Sequence, residues 1–574
     1  MNTPQCSLAD WEVLAIDCQT TGATPRAGAL VEVGWAAVKP SSDRVVSPAT
    51  CLIRLPEGHD LPLAVQKLTG IRPEDLDGAL APADAWQRLA AAAQGVGGQT
   101  GKPCGAVIHY ARFERGFLEP WHVANAPGTP FPLDIICTHK LARRLLPGLP
   151  RCGLRALAGY FGMRLPAVKR CAPHVMATAL IWQRIVALLA EEEIDDRATL
   201  TQWLQSDAKP TRHPRTYPMP LSRRNGIPDR PGIYRFRRSS GDLLYVGKAK
   251  SLKRRIGSYF QSRRRHPEHI LEMLTQAVRI DFTTTATALE AALAEADDIQ
   301  RMAPEYNLQL QAAEQPPVFC SRDFQQVGEC RNADLPLGPW PSSRALRPLA
   351  ALVRFLAPDD SAHPLTKKGL HQALGLPRES LPPLTVFGEG LTIFQKQNGL
   401  IGTRKDMARR LLLRGADFWR MTREIVPDDM TVVSGEDESG HVWTPQAVVH
   451  YLESVARLGG FHLRRGRWFM LLCEATLAWE LQDQKQTAAS LEVRGGRVIV
   501  LPPAPMPAVM PPPVNHHRPL QKRRTCFDAP TYTRLRVLTT EMRRLVSQNR
   551  TVRICLRPGV VLDQKALTRL MFWI

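Results

Sequence analysis

The chain lacks the unbroken apolar run of about 18–20 residues that a membrane-spanning helix requires, so no integral membrane protein is expected. Its opening residues, MNTPQCSLADWEVLAID, hold no basic stretch followed by an apolar one, and no secretory signal is read there. CxxC pairs are absent among the 12 cysteines, which argues against a zinc finger and against a disulfide scaffold. The cysteines are expected to be reduced thiols packed as small hydrophobes, in a cytoplasmic, nucleoid-associated protein. No internal repeat is visible. Acid is in short supply: 54 Asp and Glu face 75 Lys and Arg, a net charge of +21 over 574 residues.

That excess favours a polyanionic partner, because each phosphate neutralised releases condensed counterions. It is also concentrated. Between Lys209 and Arg265 stand 17 Lys and Arg against only Asp229 and Asp242. Hydrophobic residues at 44 % and charged residues at 22 % are a globular composition, and the length suggests about three or four domains.

Residues 1–200 read as α/β, with strand-like runs VLAID and ALVEVGWAAV and helical spacing at Ala85–Ala93, Leu154–Phe161 and Met176–Leu189. Residues 201–225 are basic and proline-rich, as expected of an extended linker near phosphates. A compact unit follows over 226–312. Beyond it, 315–500 mixes helical stretches (Ala447–Leu458) with strand-like ones (Trp468–Cys473, Arg497–Leu501). A second linker, 501–525, contains Pro502–Pro513, expected to be polyproline II, and Lys522–Arg524, read as a solvated loop. Residues 526–574 are set apart as a C-terminal subdomain. Trp468 and Phe469, beside Arg464–Arg467, could stack on DNA, but core strand residues are the favoured reading.

The compact unit carries the chemistry. In GIYRFRRSSGDLLYVGKAKSLKRRIGSYF two short strands flank the turn sequence SSGD, a hairpin that lets Tyr234 and Tyr245 converge on one face. Ser251 is a candidate N-cap for a helix to about Phe260, with Leu252, Ile256 and Tyr259 on its apolar side and Arg255 at the border. Thr287-x-x-Glu290 is a possible capping box for a second helix, on which Glu295 sits at the edge of the apolar stripe. Pro304, Tyr306 and Asn307 close the unit.

These residues resemble the GIY-YIG nuclease domain of the UvrC/Cho excision-repair endonucleases. Gly232–Tyr234, the YVGKAK of Tyr245–Lys250, and Arg255, Tyr259, Glu295 and Asn307 follow in order over about 80 residues. The resemblance implies one Mg²⁺ or Mn²⁺ held by Glu295, and Tyr234 as proton acceptor from water, its phenolate favoured by the neighbouring cations Lys248 and Arg255. It further implies Arg255 on the transition-state phosphate, Tyr245, Lys248 and Tyr259 placing phosphate and water, and Asn307 orienting neighbouring groups. Lys250, Lys253, Arg254, Arg263, Arg264 and Arg265 are the candidate DNA contacts. The bland counter-reading is an aromatic and basic face that holds DNA without cutting.

LAIDCQTTG (Leu14–Gly22), KLTGI (Lys67–Ile71), IHYARFERGFL (Ile108–Leu118) and KRCAPHVMAT (Lys169–Thr178) resemble, in order, the motifs of DnaQ-type DEDDh exonucleases. That chemistry gathers four carboxylates around two metals. Here Asp17 and Glu114 are acidic, Gln19 replaces the usual glutamate, Lys169 the histidine and His174 the last aspartate. The domain is expected to bind rather than trim; the rival is a variant site with Asp17, Glu114 and His174 on one metal. The C-terminal stretch Leu337–Leu352 also resembles UvrC/Cho proteins.

The expected architecture is multidomain α/β: an RNase H-like exonuclease fold, then a GIY-YIG nuclease fold, then a mixed α+β C-terminal region. The expected function is incision of one strand of damaged or distorted DNA in nucleotide-excision repair, with UvrA/UvrB-type partners and no membrane. The alternatives are a silent DNA-binding adaptor and a 3′-5′ exonuclease for proofreading or end trimming.

Overall fold

A computed structural model of the chain describes residues 7–573 other than 43, 45, 98–102, 207–213, 262–264, 308–315, 357–369, 371–373, 375–380, 423–442, 482–486, 514–524, 549 and 557–558. Arg263, Arg264, the Lys522–Arg524 cluster and part of the first basic linker thus lie outside the described residues. The chain forms two compact units. The first is Met1–Arg230, Tyr234–Thr284 and Pro304–Tyr306; the second is Pro231–Ile233, Thr285–Ala303 and Asn307–Ile574.

The first unit opens with strands β1 (Val13–Thr20), β2 (Leu30–Val38), β3 (Ala49–Leu52), β4 (Cys104–Ile108) and β5 (Leu133–Cys137), in sheet order 3-2-1-4-5. β2 runs antiparallel to β1 and β3, while β4 is parallel to β1 and β5, a mixed sheet in keeping with the RNase H-like expectation. Helices α1 (Leu63–Thr69), α2 (Pro82–Gly97), α3 (Ala111–Asn125), α4 (Thr138–Leu145), α5 (Leu154–Tyr160), α6 (Cys171–Glu191) and α7 (Arg197–Gln205) surround it. The two-residue strand period sends Leu14, Ile16 and Cys18 to a core with Trp86, Leu89 and Phe117, and Val13 and Ala15 to a core with Val175, Trp182 and Ile185. Both faces are covered, so β1 opens as an unbroken apolar run, Val13–Ile16, before the polar Asp17 and Gln19.

By length and composition α6 passes as long and apolar enough to cross a membrane, although His174, Gln183 and Arg184 interrupt its apolar residues. Its apolarity has another cause: Ile181, Trp182, Ile185 and Leu189 are wholly buried in the sheet's second core. Gly34 permits this close packing, since a Cβ there would meet the Cys171 Cβ at 2.7 Å.

The first linker is not an extended tether where it is described. Its expected start falls inside α7, the Thr216 amide donates to Gly148 O at 2.8 Å, and Met219 is wholly buried beside Phe236 and Leu252. Apolar residues between the prolines supply the packing surface that the charge count obscures.

Next come β6 (Gly232–Arg237), β7 (Leu243–Ala249), α8 (Leu252–Tyr259), α9 (Glu268–Gln276), β8 (Arg279–Thr284) and α10 (Ala288–Met302), with sheet order 7-6-8. The hairpin, the Ser251 N-cap (accepting from the Arg254 amide at 3.1 Å) and the Thr287 cap match the sequence reading. Leu289, Ala292, Leu293 and Ala296 of α10 join the core of the second unit, packed with Phe469, Leu535 and Leu538.

In the second unit the sheet order is Arg497–Pro505, Thr487–Arg494, Glu474–Glu480, Val552–Leu556, Val560–Leu562, antiparallel throughout. The segment expected to divide two domains therefore lies inside one sheet's connectivity, and its first prolines extend a strand. Trp468 and Phe469 sit on the helix Pro445–Leu472 instead of a strand; both are buried, and Trp468 Nε1 donates to Thr539 Oγ1 at 3.0 Å. The core reading holds and the base-stacking one does not.

The expectation of uniformly free thiols is also corrected. Cys330 and Cys526 face one another across a short antiparallel ladder and form a disulfide, 196 residues apart in sequence. Thiol titration of the protein denatured without reductant is expected to count ten cysteines, and twelve after reduction. Twelve in both conditions would refute the pairing.

Candidate active site: a phenol–arginine cluster and a carboxylate helix

Three elements of the first unit build the cluster. β6 carries Tyr234, β7 carries Tyr245 and Lys248, and α8 carries Arg255 and Tyr259. Tyr234 is wholly buried, and its Oη lies 2.9 Å from the Tyr259 Oη. Arg255 ties the two phenols together: Nε donates to Tyr234 Oη at 3.3 Å and Nη2 to Tyr259 Oη at 3.2 Å. The half-buried Tyr245 completes the group, with its ring 6.1 Å from that of Tyr234. Gly247 is required by this closeness, because a Cβ there would come within 2.5 Å of the Tyr234 Cζ.

Arg237 pairs with Asp281, Arg238 with Glu305 and Arg254 with Asp229. Arg255, like Arg224 on Met219 O, donates to neutral oxygens, here two phenols, which accept from its N–H groups without cancelling its charge. Arg255 is itself exposed on α8; the partial burial of its guanidinium opposes the charge, and the phenols of Tyr234 and Tyr259 hold it above the usual arginine range. A cation held in place by neutral oxygens suits an incoming anion.

The phenolate expected of Tyr234 is not favoured. Burial pushes its pKa well above the ordinary tyrosine value, Tyr259 and Tyr245 add to the shift, and Arg255 offsets only part of it. Tyr234 is a neutral phenol in this arrangement. His266 was missed by motif reading: it stacks on Tyr259 at 5.9 Å and its Nε2 lies 3.0 Å from Tyr259 O. Its only sequence signal was proximity to the RRR run. Lys248 is half-buried, while Lys250, Lys253, Arg254 and Arg265 are exposed.

Glu295 and Asn307 belong to the second unit. Glu295 is half-buried on α10, and Asn307 is buried at the end of the Pro304–Asn307 segment. The helix is fixed at both ends. Thr287 accepts from the Glu290 amide at 3.2 Å while Glu290 Oε2 accepts from the Ala286 amide at 3.2 Å. Farther along, Arg534 Nε donates to Asp297 Oδ1 at 2.7 Å and Gln300 Nε2 to Thr533 Oγ1 at 2.7 Å.

The exonuclease-like site is assembled differently. Asp17, Gln19 and His174 are brought together: Gln19 Nε2 donates to Asp17 Oδ2 at 2.7 Å, and His174 Nδ1 is 3.2 Å from Asp17 Oδ1. Both oxygens that a cation would use are thus engaged by side chains. Glu114 is buried, its Oε2 has no hydrogen-bond partner among the described residues, and burial with Asp17 nearby drives its pKa well up. Lys169 is exposed and only its amide is anchored, to Leu68 O at 2.8 Å. No cluster of three or more His, Cys, Asp or Glu able to hold a metal occurs among the described residues. Arg170, gripping the buried Glu32 at 2.8–3.1 Å, fixes the start of α6; residues 138 apart gave no local signal.

The hairpin, the capped helix and the phenol–arginine cluster define a GIY-YIG domain of the UvrC-like type, and residues 230–308 match that family. Two relatives match more of the chain than this segment. A Mycobacterium tuberculosis (strain CDC 1551 / Oshkosh) protein whose name describes a bifunctional exonuclease/endonuclease is 30 % identical over 312 residues, 53 % of this chain and 45 % of its own. The UvrABC system protein C of Neisseria meningitidis serogroup B is 35 % identical over 145 residues, 24 % of this chain and 23 % of its own. The chain therefore spans less than half the length of these curated relatives. The magnesium-bound GIY-YIG domain of Thermotoga maritima UvrC is 28 % identical, covering 15 % of this chain and 94 % of its own at a TM-score of 0.14.

Restoring the missing groups by Gln19→Glu, Lys169→His and His174→Asp, in a Glu295→Ala background, is expected to create a Mn²⁺ site detectable by calorimetry. Equally tight, Asp17-dependent binding before restoration would show the native site to be a working metal centre.

Proposed function

We propose that the chain is a metal-dependent DNA endonuclease that incises one strand of damaged or distorted duplex in nucleotide-excision repair, acting with UvrA/UvrB-type proteins. The observation that carries this reading is Arg255, a permanent cation held by two phenols. It is poised for a phosphate whose negative charge grows in the transition state.

Glu295 fits a hard divalent cation. A single half-buried carboxylate suits Mg²⁺ or Mn²⁺, which take oxygen donors and leave further positions to water and phosphate. Such a cation supplies Lewis-acid polarisation of the phosphate. The chain's own residues do the rest. Tyr234, as a neutral phenol, orients the attacking water by hydrogen bonding. Tyr245, Lys248 and Tyr259 position the phosphate, Asn307 orients its neighbours, and Lys250, Lys253, Arg254 and Arg265 engage flanking phosphates. The exonuclease-like domain serves as a non-cutting platform, because side chains engage both Asp17 oxygens.

The test uses a lesion-bearing duplex labelled at both ends of the damaged strand, with Mg²⁺ or Mn²⁺ and with UvrA/UvrB-type proteins present. A discrete internal nick is expected, reduced about 100-fold or more in Glu295→Ala and Tyr234→Phe with DNA affinity within a few-fold, and retained in Asp17→Ala. Undiminished cleavage by Glu295→Ala removes that residue from the mechanism, and ladder-like shortening lost only in Asp17→Ala overturns the endonuclease reading.

The pH dependence is a separate check. Because the folded pKa of Tyr234 lies above its ordinary value, the neutral phenol persists as pH rises through the usual tyrosine range. No Tyr234-dependent rise in nicking rate is expected between about pH 7 and pH 9. A rise in that window that disappears in Tyr234→Phe would restore the phenolate.

A further inference from the structure

We propose that Arg155, a residue of the exonuclease-like domain, is a positioning residue for the nuclease: it fixes the Pro304–Asn307 segment. The inference rests on the nuclease reading above, and gives the exonuclease-like domain a part in it.

α5 carries Arg155 against α9 and the segment that follows α10. Arg155 Nε donates to Glu305 Oε1 at 2.8 Å, its Nη2 lies 2.6 Å from the same oxygen, and its guanidinium carbon is 5.6 Å from the Tyr306 ring centre. Glu305 is nearly excluded from solvent, with 6 % of its side chain exposed. Its other oxygen accepts from Arg238 Nη2 at 2.9 Å. One buried carboxylate is therefore shared by Arg238 of the nuclease hairpin and Arg155 of the neighbouring domain, with Arg164 Nε of that domain farther off at 4.0 Å.

The network continues through the adjacent residue. Tyr306 Oη donates to Glu272 Oε1 at 2.6 Å and accepts from Gln276 Nε2 at 2.5 Å, while Gln276 Oε1 accepts from Arg238 Nη2 at 2.7 Å. The Tyr306 amide donates to Leu244 O at 2.9 Å, which ties the segment to β7. Buried polar groups with mutually satisfied partners hold one geometry and penalise others. Glu305 and Tyr306 are held in this way immediately before Asn307, so the restraint passes along the backbone to a proposed site residue.

A second contact between the same elements serves as the control. The Arg151 amide donates to Thr275 Oγ1 at 3.1 Å, and the Arg151 side chain pairs with Glu268. It joins α9 to the exonuclease-like domain without touching Glu305.

The experiment compares the full-length wild type, Arg155→Ala, Arg155→Lys and Arg151→Ala. One readout is single-turnover nicking of the lesion duplex with Mg²⁺; the other is hydrogen exchange of a peptide covering 304–308. Arg155→Ala is expected to exchange faster there and to nick about 10- to 100-fold more slowly, with DNA affinity within twofold. Arg155→Lys is expected to recover part of the rate, and Arg151→Ala to nick as the wild type does. An equal loss in Arg151→Ala would reduce Arg155 to domain cement and overturn the proposal. So would faster exchange with an unchanged nicking rate, or no change in exchange. If the wild type itself does not nick, the nuclease reading fails on its own, and the exchange data still decide whether Arg155 holds the segment.

Discussion

An arginine cannot shed its charge to escape burial, so wherever it is packed its surroundings must supply acceptors. Around the exposed Arg255 these are phenol oxygens: Arg255 and Tyr259 lie one turn apart on α8, the buried Tyr234 reaches the same guanidinium, and Gly247 leaves room for that phenol. Carboxylates would have satisfied the same N–H groups and neutralised the charge, as Glu305 does for Arg155 and Arg238. Phenols leave the charge uncancelled.

The exonuclease-like site shows the reverse substitution. A carboxylate cluster is stable only when cations balance its charge. Hydrogen-bond donors can share that task, and Gln19 and His174 stand against the two oxygens of Asp17. Glu114, with no donor to Oε2 among the described residues, is pushed toward its neutral form. The two apolar cores of the sheet lie on either side of β1.

Much of this was legible in sequence where the cause is local. The hairpin, the Ser251 and Thr287 caps, the apolar face of α8 and the substituted exonuclease motifs all follow from spacing of a few residues. What was illegible depends on distant partners. The neutral state of Tyr234 comes from burial, which no tripeptide reveals. Cys330 and Cys526 meet only because a short ladder closes 196 residues apart. The proline tract reads as a boundary, yet Val552–Leu556 on its far side pairs with Glu474–Glu480. Met219 inside a basic linker is hidden by the charge around it, although its burial beside Phe236 is what fastens that segment.

The division of the nuclease segment between two compact units has a physical logic. A short sheet with few helices offers too little apolar area to hold every active residue on its own account. α10 accordingly buries its stripe among Phe469, Leu535 and Leu538 and pairs Asp297 with Arg534, so the Glu295 helix draws its stability from the C-terminal region. Glu305 and Tyr306 draw theirs from α5 and α9. The exonuclease-like domain thus adds Arg155 to a buried network that the hairpin's Arg238 also enters, so a neighbour can bear on the nuclease segment by packing alone.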